Sequence, residues 1–417
     1  MIRHILKIIW NERKTNSWII LEYVLVFCIL WFCCDYLYYI GKSYYGPMGF
    51  DINNTYSIKM TDRNEKDIPE LTEEDNYANT LTLMERIRQY PGIESVCISD
   101  GCSPYEGNVM GMGFLINNDS ISQMITVRNV SSEFFDVFRI KLSKGKIFDW
   151  TDPANARHAL ISPDNDGNFG NLQKHPITEV NNLKYGRNNE YTIIGITEKY
   201  KSAFFKPYEN NVFVPMEKWR ISLHNSFEIR IHPNAAKGFE ERFTRDMKEQ
   251  LNVGAARFSS ITSIKEMRKS AMKRSGITDN LNSVYSITSF LIINIFLGII
   301  GTFWYRTVSR KSEVGLRIAL GSSKRKIKTL LYTETIFLLL ISAFIGVNIC
   351  INLGQTDLLT TLGIPISNAE QIGSGIEQHF INFGLTFLFL AVISLLAVWY
   401  PVRQSSNMHP AEVLHEE

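Results

Sequence analysis

The sequence predicts an α+β membrane protein, with four transmembrane helices and a large extracytoplasmic α/β domain between the first and second helix. Two observations support this fold class. The apolar residues are concentrated in four long runs, and about twenty helical residues at 1.5 Å each cross a hydrocarbon core about 30 Å thick. The basic residues are concentrated in the segments on one side of these runs. The runs cover 18–40, 284–305, 330–351 and 380–400.

Charge and motifs exclude several other classes of function. The 417 residues include 44 basic and 42 acidic ones, so no overall positive field indicates nucleic-acid binding. The tripeptide "GKS" at 41–43 lacks the glycine that a phosphate-binding loop needs five positions earlier, where Tyr36 stands. The eight histidines show no metal-ligand spacing, and no nucleophile signature is present. We therefore expect no catalytic residue, no metal site and no cofactor in this chain, which is not predicted to be an enzyme.

The N-terminal segment 1–17 predicts an amphipathic helix on the inner membrane surface, because apolar side chains recur at helical spacing among basic ones. The run that follows, 18–40, predicts an uncleaved first span. It is longer than the apolar region of a signal peptide, and no small-residue cleavage site follows it. Its two acids, Glu22 and Asp35, lie near opposite ends of the run, where a charge costs less than at the centre.

The distribution of Lys and Arg predicts the orientation of the spans, because positive residues stay in the cytoplasm. The segment 306–329, which we call the basic segment, lies between the second and third spans and contains Glu313 as its acidic residue. The loop 352–379 has no Lys or Arg. We therefore expect the basic segment and both termini, including the tail 401–417, in the cytoplasm. The basic residues of the basic segment are Arg306, Arg310, Lys311, Arg317, Lys324, Arg325, Lys326 and Lys328.

Residues 41–283 form the predicted extracytoplasmic domain. Two parts of it, 51–105 and 221–265, each read as strand, helix and strand, as in "NTYSIKM" and "SFEIRIHP" for the first strand of each. Two such units can join into one two-layer α/β domain. The strand-rich part between them, 106–220, predicts an inserted subdomain. A polar helix over 262–283 is expected to continue into the second span as a stalk.

The cysteines leave one question open. Cys97 and Cys102 flank a turn-like "SDG" outside the membrane, where a disulfide bond and two free thiols are about equally compatible with the sequence. The other cysteines lie in the spans, where we interpret them as small packing residues. They are Cys28, Cys33, Cys34 and Cys350.

The stretch "SEVGLRIALG" in the basic segment predicts a short helix with two apolar sides. Leu316, Ala319 and Leu320 fall on one side, and Val314 and Ile318 fall almost opposite. A helix this short is marginal alone, so one side is expected to pack on the ends of the spans and the other on a partner protein. Helix stop and start signals follow, with Gly321 at the end and Ser322 or Ser323 as the cap of the third span.

The basic segment, read with its neighbours, resembles a known family. "RKSEVGLRIALGSSKRKI" followed by "TETIFLLLISAFIG" resembles the segment joining the second and third spans of MacB-type and FtsX-like ABC transporter permeases, and "MHPAEVLHEE" resembles the tail of that family. The resemblance implies a split porter-like α/β part with an inserted subdomain, and a coupling helix that docks on an ATPase. Glu334 matches an acidic residue at the start of the third span in that family. With Ile318 added from the apolar pattern, the expected coupling residues are Glu313, Val314, Gly315, Arg317, Ile318, Ala319, Leu320 and Gly321.

The resemblance also implies partners. We expect a separate ABC ATPase subunit that binds the ATP, because no ATPase domain precedes the first span. A second copy of the chain, or a paralogous permease, is expected to complete the transporter in the lipid bilayer of the bacterial inner membrane. A periplasmic adaptor and an outer-membrane channel are further expected partners.

Three functions fit these expectations. The first is mechanotransmission, in which ATP hydrolysis elsewhere moves the extracytoplasmic domain and drives export of a peptide, antibiotic or lipoprotein. The second is FtsX-like regulation of an extracytoplasmic cell-wall hydrolase. The third is a membrane receptor that senses a peptide.

Overall fold

The computed structural model describes residues 10–11, 13–62, 72–107, 110–117, 119–186, 189–222, 225–309, 316, 320, 322–354 and 376–406. It contains two compact units, each described here by itself. The membrane unit comprises 1–42 and 278–417, and the outer unit comprises 43–277. The surface helix, the loop 352–379 and the tail predicted from the sequence lie largely outside the described residues.

The helices of the described chain are α1 (Arg13–Tyr45), α2 (Glu73–Arg88), α3 (Phe134–Val137), α4 (Phe239–Met247), α5 (Ile264–Arg274), α6 (Ile277–Ser309), α7 (Lys324–Gly354) and α8 (Ile376–Ser406). The strands are β1 (Thr55–Asp62), β2 (Ile93–Ser99), β3 (Met110–Ile116), β4 (Gln123–Val130), β5 (Leu142–Gly145), β6 (His158–Ser162), β7 (Asn168–Phe169), β8 (His175–Pro176), β9 (Asn182–Tyr185), β10 (Asn189–Thr197), β11 (Asn211–Pro215), β12 (Ser226–Ile231) and β13 (Ala256–Ser263).

The described residues include four helices long and apolar enough to cross a membrane, which confirms the predicted spans. They lie in α1, α6, α7 and α8 and have mean hydropathies of 2.2, 2.0, 2.4 and 2.4. All four contribute to one apolar core, in which Phe27 of α1 lies among Ile295 of α6, Leu339 of α7 and Leu390 of α8. A Cβ at Gly346 of α7 would lie 2.6 Å from Cδ1 of Phe27, so this glycine lets α7 approach α1 closely.

Part of the outer unit is a four-stranded antiparallel sheet in the order β2–β12–β1–β13, which we call the split sheet. Its strands come from two β-α-β units far apart in sequence, β1-α2-β2 and β12-α4-β13, as in split β-α-β folds. The helix α4 packs on this sheet through aromatic contacts. The ring centroids of Tyr56 and Phe239 are 5.1 Å apart, and those of Phe243 and Phe258 are 6.3 Å apart.

The inserted strands close on themselves. Because β11 pairs with both β6 and β4, the strands β4, β3, β9, β10, β6 and β11 form a closed ring, which we call the strand ring. Apolar side chains such as Phe114, Ile125, Ile161, Leu183 and Val212 form one buried cluster within it. Closure leaves these strands without free edges, which would otherwise pair with other chains.

A short seam joins the strand ring to the split sheet. The one ladder pair recorded between β2 and β4 is Ser99 with Val130. Backbone hydrogen bonds flank it, from Ser131 N to Ile98 O at 3.0 Å and from Asp100 N to Asn129 O at 3.1 Å. The two parts of the outer unit therefore share little strand pairing.

The helix predicted over 262–283 is interrupted, so the expectation of one continuous stalk is wrong. The helix α5 ends at Arg274, and α6 begins at Ile277. Gly276 between them has φ = +70°, the left-handed conformation in which glycine commonly ends a helix. Its N–H donates to Lys273 O at 3.1 Å, closing the last turn of α5.

Candidate functional site

The basic segment carries the predicted coupling residues, of which Leu320 is the one within the described chain. Leu320 N donates to Leu316 O at 2.9 Å, the spacing of a helical hydrogen bond. Both side chains are exposed, Leu316 at 53% and Leu320 at 78%. The structure therefore presents two apolar side chains one turn apart. The other coupling residues lie outside the described residues, namely Glu313, Val314, Gly315, Arg317, Ile318, Ala319 and Gly321.

The start of α7 confirms one of the two predicted caps. Lys326 N donates to Ser323 Oγ at 3.4 Å and to Ser323 O at 2.9 Å, so Ser323 caps the helix. The first turn carries no acid and several bases, including the exposed Arg325 and Lys326. Cations at a helix N-terminus oppose the helix dipole. Their position is thus unfavourable for the helix itself.

Three acids in the spans, Glu22, Asp35 and Glu334, lie against other residues of the membrane unit. Asp35 is 2% exposed, and Asn382 Nδ2 of α8 donates to its Oδ1. Glu334 is likewise 2% exposed. The carboxylate of Glu22 lies against Gly298 of α6, since a Cβ there would overlap it. Acids in spans usually face the bundle interior because lipid cannot solvate them.

The seam of the outer unit contains a buried carboxyl that the sequence did not single out. Glu228 of β12 is fully buried. Its Oε1 accepts hydrogen bonds from Ser99 Oγ at 3.0 Å and from Ser103 Oγ, and Cys97 Sγ lies 3.4 Å from its Oε2. Burial, opposed by donation from Ser103 and supported by the negative charge of Glu106, raises the pKa of Glu228 from 4.5 to about 8. The group is therefore poised to be neutral near pH 7.

A buried cation lies on the other side of the seam. Arg128 of β4 is 1% exposed. Its Nε donates to Asn211 Oδ1 at 2.8 Å and its Nη1 to Cys102 O at 3.1 Å. Its guanidinium carbon lies 4.7 Å from the ring centroid of Tyr200, a cation–π distance. Arg128 thus stabilises the strand ring and the loop after β2 at once.

The two outer cysteines, between which the sequence allowed a disulfide, are free and buried in the structure. Cys97 Sγ lies against Glu228, and Cys102 Sγ lies 3.2 Å from Asp100 O. Burial raises the pKa of the Cys102 thiol to about 12 and also raises that of Cys97. Both thiols are therefore protonated and unreactive while the seam stays closed.

Glu228 and Arg128 were missed because each stands in a strand that reads as half-buried. In "SFEIRIHP" the charged residues alternate with apolar ones, which normally indicates a solvent face. The sequence does carry one signal, because the strand has an acid and a base two residues apart, at Glu228 and Arg230. No local pattern, however, reveals that every residue of β12 is buried.

Comparisons with known proteins find similar families for both parts of the chain. Residues 285–410 match the family described as the C-terminal part of FtsX-like permeases, and residues 48–246 match the MacB-like periplasmic core domain. The macrolide export ATP-binding/permease protein MacB 2 of Aeromonas hydrophila is 24% identical over 300 residues, which are 70% of this chain and 43% of that protein. A probable export ATP-binding/permease protein of Pseudomonas fluorescens is 23% identical over 321 residues, 73% of this chain and 45% of that protein.

Two solved structures are also similar. The periplasmic region of MacB from Actinobacillus actinomycetemcomitans aligns with a TM-score of 0.33 and 13% identity, covering 53% of this chain and 94% of that one. The extracellular domain of the transporter YknZ from Gram-positive bacteria aligns with a TM-score of 0.30 and 15% identity, covering 49% of this chain and 100% of that one.

The alignments to the two export proteins described above span less than half of the length of those relatives.

Proposed function

We propose, from the premise that this chain is a MacB/FtsX-like permease of ABC transporters, that it couples ATP hydrolysis by a partner ATPase to movement of its outer unit. This is the mechanotransmission type of permease. The work done is export of a peptide, an antibiotic or a lipoprotein through partner proteins. The printed names of the relatives, which include export and macrolide export proteins, support the export class.

The observation that carries the proposal is the exposure of Leu316 and Leu320. These two leucines, joined by an i→i−4 backbone hydrogen bond, precede the exposed bases Arg325 and Lys326 in the chain. Such a patch fits a groove on a partner protein with acidic surroundings. We assign that groove to the ATPase, and ATP is bound there rather than by this chain.

Polar groups in the membrane unit support movement rather than a substrate channel. Tyr23 Oη donates to Ser394 Oγ at 2.9 Å, and Ser342 Oγ donates to Leu338 O at 2.9 Å within its own helix. Asp35 is bonded by Asn382. These groups are engaged by neighbours, whereas transporters that bind substrate in the membrane keep polar groups open at a midplane site.

The mode of assembly is part of the proposal. The span in α6 buries 11% of its most apolar window inside the chain, against 44% for the span in α1. The remaining surface of α6 is available to lipid and to a second copy of the chain or a paralogous permease. We propose an assembly of two permeases with two ATPases in the bacterial inner membrane, with both termini in the cytoplasm and an adaptor and outer channel outside.

The test is co-purification of the chain with each ABC ATPase subunit of the host, co-expressed in turn. Leu320→Asp should reduce the recovered ATPase at least tenfold, because it buries an unpaired carboxylate in the contact. Leu172→Asp is the matched control, since Leu172 in the outer unit is exposed at 75%, close to the 78% of Leu320. The control should bind ATPase as the unaltered chain does.

Recovery of undiminished ATPase with Leu320→Asp protein would remove this turn from the coupling site. Failure of every ATPase to bind the unaltered chain would refute the transporter proposal as a whole. In that case direct peptide binding by the chain, measured by calorimetry, would favour the receptor function.

A second candidate is regulation of an extracytoplasmic cell-wall hydrolase, favoured by the match of 285–410 to FtsX-like permeases. The same ATP-driven movement would then activate an enzyme instead of driving export. Deletion strains separate the two functions. Sensitivity to a toxic peptide indicates export, and a septation or wall defect indicates regulation.

A further inference from the structure

The loop 100–106 follows β2 and covers the seam between the split sheet and the strand ring. We call it the clasp. Ser103 Oγ of the clasp donates to Glu228 of β12, in the split sheet. Cys102 O of the clasp accepts from Arg128 Nη1 of β4, in the strand ring, at 3.1 Å. The clasp therefore holds both parts of the outer unit at the point where their strand pairing is limited to one ladder pair.

The far end of the clasp is fixed to α5. Tyr105 has φ = +70°, which is rare for a bulky side chain and persists only where surrounding contacts determine it. Its N–H donates to Ser202 O at 3.0 Å, and its carbonyl accepts from Arg274 Nη2 at 3.0 Å. Arg274 is the last residue of α5, just before the break at Gly276.

Among the described residues of the outer unit, no cation bonds to Glu228. Lys59 of β1 pairs with Glu106 at 3.2 Å instead, and the Nε and Nη1 of Arg128 are bonded to Asn211 and Cys102. The donors to Glu228 are two hydroxyls and a thiol, all neutral. The titratable and charged groups that face this cluster are Cys97 of β2, Asp100, Cys102 and Glu106 of the clasp, Arg128 of β4, Glu133 before α3, and Tyr200.

We propose that the neutral carboxyl of Glu228 is the lock that keeps the clasp closed, and that ionisation of Glu228 in alkaline surroundings opens the clasp. An ionised Glu228 would be buried beside the negative Glu106 without a cation bonded to it. Charge in such a place is relieved most readily by admitting water. The strands on either side are held by ladder hydrogen bonds, so the clasp is the element that can lift. Burial raises the pKa of Glu228 to about 8, which sets the pH range of opening.

The inference goes beyond the proposed function, because it requires no ATPase and no cargo. It adds regulation, since the clasp also holds Arg274 at the end of α5. With the clasp open, α5 loses the hydrogen bond from Arg274 to the Tyr105 carbonyl, so the end of α5 is no longer held to the seam.

The buried thiols of Cys97 and Cys102 are built-in reporters, being 0% and 1% exposed. The full chain in detergent is treated with iodoacetamide between pH 6.5 and 9.5, and labelled peptides are quantified by mass spectrometry. Thiol ionisation alone speeds labelling as pH rises, so the unaltered chain is compared with Glu228→Gln at each pH. The ratio of the labelling rate of the unaltered chain to that of Glu228→Gln is expected to rise at least tenfold between pH 6.5 and pH 9.

Equal labelling of the two proteins at every pH would overturn the inference. Glu85→Gln removes an exposed carboxyl of α2 and should behave as the unaltered chain does. Should Glu228→Gln fail to fold, Glu106→Gln gives an independent test. Removing that negative charge lowers the pKa of Glu228 and should shift the rise in labelling to lower pH, and an unshifted rise would equally contradict the lock.

Discussion

Two buried ionisable side chains on the same face of β12, Arg230 and Glu228, have opposite kinds of surroundings. Arg230 is 1% exposed, and its guanidinium donates to Val137 O at 2.6 Å, Asp51 O at 2.7 Å and Asn53 O at 2.8 Å. The carboxylate of Asp51 lies 3.4 Å from its Nη1. Glu228, two residues earlier, is bonded by neutral hydroxyls and a thiol.

The comparison shows which surroundings keep a buried side chain charged at every pH near neutrality. Around Arg230 the acceptors are carbonyls that would be orphaned without it, and a carboxylate balances its charge. Around Glu228 the donors are neutral, so they leave the charge of an ionised carboxylate unbalanced. Arg230 is therefore a fixed anchor of the split sheet, whereas Glu228 is a conditional contact whose state depends on pH.

The largest effect is expected from breaking the anchor. Arg230→Met keeps much of the volume but leaves the carbonyls of Val137, Asp51 and Asn53 without their donor. We expect a loss of about 3 to 5 kcal/mol in the free energy of unfolding, typical of removing one partner of a buried charged network. The measurement is pulse proteolysis of the full chain in urea, following the outer unit. Arg245→Met, at a side chain that is 72% exposed, is the control and should change little. An unchanged urea midpoint for Arg230→Met would show that the anchor is dispensable.

Glu228→Gln should stabilise the outer unit, and by an amount that depends on pH. Below pH 4.5 the carboxyl is protonated in folded and unfolded chains alike, so its contribution to the stability of the outer unit is fully present. Between pH 4.5 and about 8 the unfolded chain releases the proton that the folded chain keeps, and the unaltered protein loses stability as pH rises. Glutamine does not titrate. The free energy of unfolding of Glu228→Gln should therefore exceed that of the unaltered chain by an amount that grows across this range to a few kcal/mol, or roughly 5 to 10 °C in Tm.

Thermal melts at half-unit pH steps check this expectation. Glu85→Gln, the exposed carboxyl in α2, should follow the unaltered chain at every pH. A constant difference between Glu228→Gln and the unaltered chain from pH 5 to 8 would mean that Glu228 is ionised in the folded protein, and the contrast with Arg230 would vanish.

A smaller effect should follow from removing one donor to Glu228. Ser103→Ala deletes a hydrogen bond and should cost about 1 kcal/mol near pH 6. Because donation from Ser103 lowers the pKa of Glu228, the variant should also move that pKa upward. The same pH-dependent melts report both changes, with the exposed Ser120→Ala as the reference. A downward move of the pKa would indicate that the hydroxyl accepts from the carboxyl instead of donating to it.

The spans and several strands of the outer unit follow from local patterns in the sequence. Apolar runs near twenty residues encode spans directly, and alternation in "NTYSIKM" and "SFEIRIHP" encodes β1 and β12. The same alternation also gave a wrong prediction, because it implies that every second side chain of a strand faces solvent. Glu228 and Arg230 are buried instead, beneath the clasp and beside α3.

Other features depend on contacts that no local pattern carries. Closure of the strand ring requires β11 to pair in parallel with β4, a strand far earlier in the chain. The break at Gly276 depends on one left-handed residue within a helical pattern, where a glycine is often tolerated. In the basic segment the apolar pattern predicts two apolar sides and does not indicate which of them contacts a partner. The structure exposes the side of Leu316 and Leu320.

The narrow seam has a consequence for how such proteins diversify. The strand ring has its own buried core and closes its own edges, so its folding depends little on the split sheet. One ladder pair and the clasp contacts at Glu228 and Arg128 are what a replacement ring would have to match. The ring can therefore vary as an exchangeable cassette. One split sheet can in this way acquire new binding surfaces without being rebuilt itself.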